Sequence, residues 1–244
     1  MESPEAALEA AAGPDGLSLK RWLAGYVLYL LALLAPVGLM LARRGEDWSD
    51  LLLSPRQFFT SPAHDAMKLL LFAFYLSISC TMLPLPTGWI VAALATRDMA
   101  VADSLWATVV IVATVGAVGS TIANLHDYHL FTWMLRHRRI ARIRQMRFTQ
   151  RAERWFARRP FALLAVFNVL PIPVDVVRML AATFRYPLRR FAAANFLGRW
   201  VRYAAVAAAT FQMGQKGWWM VLALLALAVV LGAMKLIGKA LPGK

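Results

Sequence analysis

Apolar residues in this chain run in blocks long enough to enter a bilayer, and polar residues break those blocks at few places. The first block, residues 22–42, has roughly the 20 residues that a spanning helix needs. Pro36 and Gly38 fall late in it and are tolerated there. Residues 43–65 turn polar, with Trp48, Leu51, Leu52, Phe58 and Phe59 suited to the membrane interface. The next block, 67–96, is too long for one simple span and is cut by Leu83-Pro84-Leu85-Pro86-Thr87-Gly88. A single kinked helix is one reading. A span to about Met82, then a re-entrant piece ending near Arg97 and Asp98, is favoured, because Pro84 and Pro86 free several backbone groups in one place. Residues 105–135 read as one long helix, with Gly116, Gly119 and Ser120 as close-packing small residues. The block 161–184 is again interrupted, by Pro171 and Pro173. After it, 191–213 reads as a span, 214–217 as a short outer turn and 218–237 as a return.

Charge orients these blocks. Between 136 and 159 stand Arg136, Arg138, Arg139, Arg142, Arg144, Arg147, Arg151, Arg154, Arg158 and Arg159, against Glu153. The positive-inside bias puts that loop in the cytoplasm. Phe148, Ala152, Trp155 and Phe156 share a helical face, so part of it is expected to lie on the inner leaflet and to hold anionic lipid. If 161–184 crossed the membrane, Arg185, Arg189 and Arg190 would sit outside. If the segment re-enters, both of its flanks are cytoplasmic and the bias is kept. Lys235, Lys239 and Lys244 put the C-terminus inside. Alternation then puts the N-terminus outside, with Lys20 and Arg21 competing against Arg43 and Arg44.

Composition agrees with this and narrows the function. Hydrophobic residues make up 60% of the chain and the mean hydropathy is +0.55, values foreign to a soluble domain. The formal net charge of +14 reads as orientation and contact with anionic lipid, not as nucleic-acid binding. One cysteine, Cys80, excludes an intramolecular disulfide and a cysteine metal cluster. The expectation is an all-α polytopic membrane protein with two opposed re-entrant proline segments, forming an inverted repeat. Its parts are a disordered tail over 1–21, a first span and interfacial segment over 22–65, a membrane domain over 66–213, and a last span with a short tail over 214–244. Self-association into a homo-oligomer is left open.

Polar groups converge most strongly on residues 168–203. Asp175 and Arg178, three apart, share a helical face, as do Asn195, Arg199 and Arg202. Ionisable groups at membrane depth are costly and mark cavities or pathways. Arg178, Arg199 and Arg202, with Asn195 as a neutral donor, suit a lipid phosphate, because guanidinium forks bind oxyanions in a multidentate way. Asp175 would hold an arginine while the site is empty. Against this stand snorkelling of Arg199 and Arg202 to the interface, and a purely structural Asp175–Arg178 pair. His126, Asp127 and His129 suggest a metal, but no further cluster completes one, and pathway lining is preferred. No nucleophile–base pair or glycine-rich phosphate loop points to an enzyme, and no cofactor is expected.

Residues from about 75 to 205 resemble the DedA/VTT (SNARE-associated) membrane proteins. The resemblance rests on Pro84-Leu85-Pro86, on Gly116, Gly119, Asn124 and Tyr128 before a basic loop, and on Pro171, Ala181-Ala182, Arg185, Pro187, Arg190-Phe191, Asn195 and Gly198. Pro171 with Asp175, and Gly198-Arg199 with Arg202-Tyr203, look like the YqaA-type branch. Thr87 and Gly88 stand where the family usually has an acidic residue after its first proline motif. Asp127 and Asp175 are then the intramembrane acids that remain for ion coupling. The resemblance implies movement of phospholipids or polyprenyl-phosphate carriers between leaflets of the bacterial inner membrane, with a proton- or ion-coupled solute transporter or an assembly factor as alternatives.

Overall fold

The structure is a computed structural model and describes residues 19–45, 49, 60–79, 87–135, 156, 159–170, 175–217, 219, 221–223 and 226. Among these, every regular element is helical. In chain order they are α1 (Leu19–Arg44), a 3-10 turn (Pro62–His64), α2 (Asp65–Ser79), α3 (Gly88–Ala95), α4 (Leu105–Leu135), α5 (Pro160–Val169), α6 (Asp175–Thr183), α7 (Leu188–Gln212) and a second 3-10 turn (Gly214–Lys216). The prolines Pro84, Pro86, Pro171 and Pro173, the arginine loop 136–155 and the return 227–244 lie outside the described residues.

Two helices, over Arg21–Arg44 and Leu105–Met134, are long and apolar enough to cross a membrane. The first shows its side chains outward: Leu28 is 68% and Leu31 56% exposed. In lipid that exposure carries no hydrophobic penalty, so helix contacts rest on shape fit and hydrogen bonds instead. α7 has the length of a span, at 25 residues, but Arg189, Arg190, Arg199 and Arg202 make it too polar to be recognised by hydropathy.

The centre of the fold is α4 packed antiparallel against α7. Three contacts fix the register. The Tyr203 ring lies beside Gly116, where an added Cβ would meet it at 2.9 Å. Asn124 bonds Asn195, and the Tyr128 hydroxyl donates to the Tyr186 carbonyl at 3.0 Å. Around this pair the apolar core divides in two. One cluster holds Phe72 and Leu76 of α2, Val91 and Leu94 of α3, Val112 and Ala113 of α4, and Tyr203. The other holds Tyr128 and Phe131 of α4, Leu164 of α5, Leu180 and Ala181 of α6, and Phe191 of α7.

Each cluster contains a broken apolar segment. The block 67–96 contributes α2 and α3, and residues 80–86 between them lie outside the described residues. The Trp89 indole of α3 donates to the Tyr75 hydroxyl of α2 at 3.0 Å, while Arg97, just beyond α3, lies over the Phe211 ring at the far end of α7. In the second segment, Phe156 before α5 stacks on Phe184 after α6, with ring centroids 5.6 Å apart. The α5–α6 pair therefore starts and finishes at the same end of the molecule. Its exit is closed by a helix C-cap: Arg185 takes a left-handed conformation (φ 48°). There Tyr186 N–H bonds the Ala181 carbonyl and Arg185 N–H that of Ala182.

One expectation is corrected. Trp22 stacks on His129 and Tyr26 on His126, while Val37 and Leu41 pack on Met67. α1 thus runs antiparallel to both α2 and α4, and its start lies at the same end as the start of the arginine loop. An N-terminus on the opposite side from that loop does not fit this packing. The physical reason is that the ring contacts of Trp22 and Tyr26 hold the start of α1 against the last turns of α4. The start of α2, beside Leu41, and the end of α3, beside Phe211, lie at the opposite end.

Candidate functional site

Between the two apolar clusters lies one layer of buried polar side chains. On α4 it takes Asn124 and Asp127, three residues apart and so on one face. On α7 it takes Asn195, Arg199 and Tyr203, each four residues from the next. α5 adds Asn168 from its last turn and α6 adds Arg178. Asn124, Asp127, Asn168, Asn195 and Tyr203 are each 0% exposed, and Arg178 and Arg199 are 4% and 5% exposed.

Hydrogen bonds run through the layer, although Asn124 Oδ1 accepts none among the described residues. Asn195 Oδ1 accepts from Asn124 Nδ2 and from Asn168 Nδ2, both at 2.9 Å. Asn195 Nδ2 donates back to the Phe191 carbonyl at 2.7 Å. Asn168 Nδ2 also reaches the Leu164 carbonyl at 2.8 Å. Arg199 Nε donates to Asn168 Oδ1 at 3.1 Å, and its Nη1 to the Tyr203 hydroxyl at 3.3 Å. Arg178 Nη1 meets Asp127 Oδ2 at 2.9 Å, in a pair that is 4% and 1% exposed. A charge at this depth persists only when a counter-charge or donor set compensates it. Asp127 is that counter-charge for Arg178. Arg199 is held by neutral oxygens.

Close approach of the backbones makes the layer possible. A Cβ on Gly198 would come 2.4 Å from the Ala165 carbonyl oxygen and 2.7 Å from Asn168 Cβ. No side chain fits there, so α5 lies directly on α7 and Asn168 reaches Asn195 and Arg199. Gly119 does the same for α4 on α2, with the Ala73 carbonyl 2.9 Å from a Cβ.

The structure thus brings together Arg178, Asn195, Arg199 and Asp127 from the sequence-derived set. Arg202 is half-buried on α7 and has no part in the bonds above. Asp175 opens α6, and its side chain lies outside the described residues; the partner that the structure gives Arg178 is Asp127, 51 positions away. The prolines of both motifs are likewise outside. Sequence reading passed over Asn168 and Tyr203 as hydrogen-bond partners of Arg199, and over Asn124 as the centre's α4 contact. A signal was present for Asn124: it stands three residues before Asp127 in an otherwise apolar helix. His126 and His129 turn to the other side of α4, stacked on Tyr26 and Trp22. Among the described residues no three histidine, cysteine or acidic side chains gather as for a metal ion.

Residues 99–212, which hold most of this layer, match the family model of the VTT domain. That domain defines the DedA family, membrane proteins regarded as transporters or flippases and not known as enzymes. No curated protein and no solved structure matches the chain.

Proposed function

We propose that this VTT-domain protein moves an anionic lipid headgroup, that of a phospholipid or a polyprenyl phosphate, between the leaflets of the bacterial cytoplasmic membrane. One observation carries the reading: two arginines, Arg178 and Arg199, are buried in a single layer with Asp127 and three asparagines. Two guanidinium groups kept from water at several kcal/mol each need a reason beyond packing. A phosphate provides one, since its oxygens accept from both forks where Asp127 and the amides now accept. In this mechanism Asp127 neutralises Arg178 in the empty site. The headgroup displaces that contact on entry, and Asp127 reclaims the arginine on release. Arg202, three residues after Arg199 on α7, receives the headgroup on its path.

The membrane arrangement follows. The α5–α6 pair enters from the arginine-rich, cytoplasmic end and returns to it, while α2–α3 enters from the opposite end. The breaks at Pro84 and Pro86 and at Pro171 and Pro173 form the tips. At 10 residues, α5 is about 15 Å long, half of a hydrocarbon core of about 30 Å. Its polar end, Asn168, then sits near mid-depth, as expected for an inverted repeat with its site between the halves. The arginine loop gathers anionic lipid on the inner leaflet. Within the family the chain falls in the YqaA-type branch, on Pro171 with Asp175, Gly198-Arg199 and Arg202-Tyr203. Burial of Asp127 favours a second reading, an ion-coupled solute transporter in which that carboxylate carries the proton.

Leaflet exchange of labelled phospholipid and polyprenyl phosphate in proteoliposomes tests the proposal, with and without a proton gradient. Exchange above empty liposomes is expected from wild type, with a loss of about ten-fold or more in Arg178→Gln and Arg199→Gln. Arg199→Lys keeps the charge but not the planar fork, and is expected to resemble Arg199→Gln. Folded wild type without exchange for either lipid would end the lipid reading and leave the solute transporter.

A further inference from the structure

A second site lies on the other face of α4. Between α1 and α4 there is a cavity of about 360 Å³ lined by Arg21, Trp22, Gly25, Tyr26, Tyr29, Ile122, Leu125 and His126. It is separate from the asparagine–arginine layer: His126 lines it, while Asp127, next in sequence, pairs with Arg178 on the far side. It lies where Trp22 and His129 meet, at the end from which the arginine loop departs.

Gly25 shows what the space is for. Glycine inside a helix costs about 1 kcal/mol relative to alanine, and Gly116, Gly119 and Gly198 each have a packing reason. At Gly116, Gly119 and Gly198 a Cβ would meet a neighbour at 2.9 Å or less. At Gly25 it would meet nothing within 4 Å. This glycine stands against open space on a wall of the cavity, so no neighbour in the described protein requires it. The rest of the wall is apolar or aromatic, and the tyrosines are turned by bonds to α2: Tyr26 donates to the Ser77 carbonyl and Tyr29 pairs with Ser77 Oγ at 3.0 Å. Polarity collects in two places. Arg21 is exposed at one end, and the buried His126 Nδ1 has no hydrogen-bond partner among the described residues.

We infer that this cavity is a lateral binding site for one anionic membrane lipid, with its phosphate at Arg21 and the upper part of an acyl chain lying over Gly25 against Tyr29, Ile122 and Leu125. Charge and size both choose this occupant. Among the described residues lining the cavity, the sole formal charge is the Arg21 guanidinium, at the interfacial end of a spanning helix. A methylene occupies about the volume of a water, roughly 30 Å³, so the space takes on the order of a dozen methylenes. His126 offers a polar atom to the ester or glycerol region below the phosphate. The site does not depend on whether the chain moves lipid.

The test is photolabelling of the full-length protein in phosphatidylcholine vesicles containing phosphatidylglycerol with a diazirine in its acyl chain, read by peptide mass spectrometry. Labelling is expected to concentrate on residues 21–29 and 122–126. Gly25→Leu fills space in which a Cβ meets no neighbour and replaces a weak helix former, so it should fold and lower that labelling about ten-fold. Gly25→Ala should leave most of it. Arg21→Gln should abolish the preference for a phosphatidylglycerol probe over a phosphatidylcholine probe. Labelling spread evenly around the exposed faces of α1, α4 and α7, or unchanged in Gly25→Leu, would overturn the site and leave only ordinary annular lipid. Leaflet exchange measured on the same samples separates the two proposals. Exchange without site labelling leaves transport standing alone, and site labelling without exchange leaves this site standing alone.

Discussion

At the scale of residues, the Asp127–Arg178 pair is the most exacting part of the asparagine–arginine layer. Both side chains are almost wholly buried, so removing one leaves a charge whose main compensation is gone. Asp127→Asn or Arg178→Gln alone should cost about 3–5 kcal/mol, and the double substitution less than the sum. Thermal unfolding in detergent, carried through the full cycle, measures this. Additive losses would show that each group answers chiefly to other partners. The sequence pointed correctly to buried chemistry around Arg178, Asn195 and Arg199, because charged and amide residues in apolar blocks are conspicuous. It did not point to Asp127 as a partner of Arg178, because Asp127 lies 51 positions away and is reached only once α6 folds back against α4; the side chain of Asp175, three positions before Arg178, lies outside the described residues.

At the scale of elements, the decisive feature is how closely α5 approaches α7. Gly198 is the point of contact, and a methyl there would meet backbone oxygen at 2.4 Å. Backbone cannot step aside as a flexible side chain can. Gly198→Ala should therefore displace α5, withdraw Asn168 from Asn195 and Arg199, and destabilise by about 1–3 kcal/mol. A lowered melting temperature together with lost leaflet exchange is the expected result. An unchanged melting temperature would mean that α5 does not rest on Gly198. The element boundaries were largely legible: proline clusters cut the two long apolar blocks, and the arginine run ended α4. The helical character of 188–212 was also legible, although four arginines mask it from hydropathy alone.

For the whole molecule, packing places the start of α1, the end of α4 and Arg185 at one end and residues 213–217 at the other. Single cysteines at Lys20→Cys, Arg185→Cys and Gln215→Cys in a Cys80→Ser background, exposed to an impermeant maleimide on intact cells, test this. Position 215 should label and positions 20 and 185 should not. Labelling at 20 or 185 without 215 would reverse the orientation, and labelling that splits 20 from 185 would break the packing itself.

The sequence alone determined that this is a helical membrane protein, where its apolar blocks break, and which end carries the positive charge. Those properties are local, set by the length of apolar runs, by proline's missing donor and by the count of arginines in one loop. The tertiary structure alone decided that α1 begins beside the end of α4, that Asp127 is the counter-charge of Arg178, and that three asparagines from three helices meet on one oxygen. In lipid, an apolar surface has little preference between a neighbouring helix and a lipid tail, so hydropathy cannot choose which faces meet. Glycine contacts and hydrogen bonds between distant residues make that choice, and their partners are known only once the chain is folded.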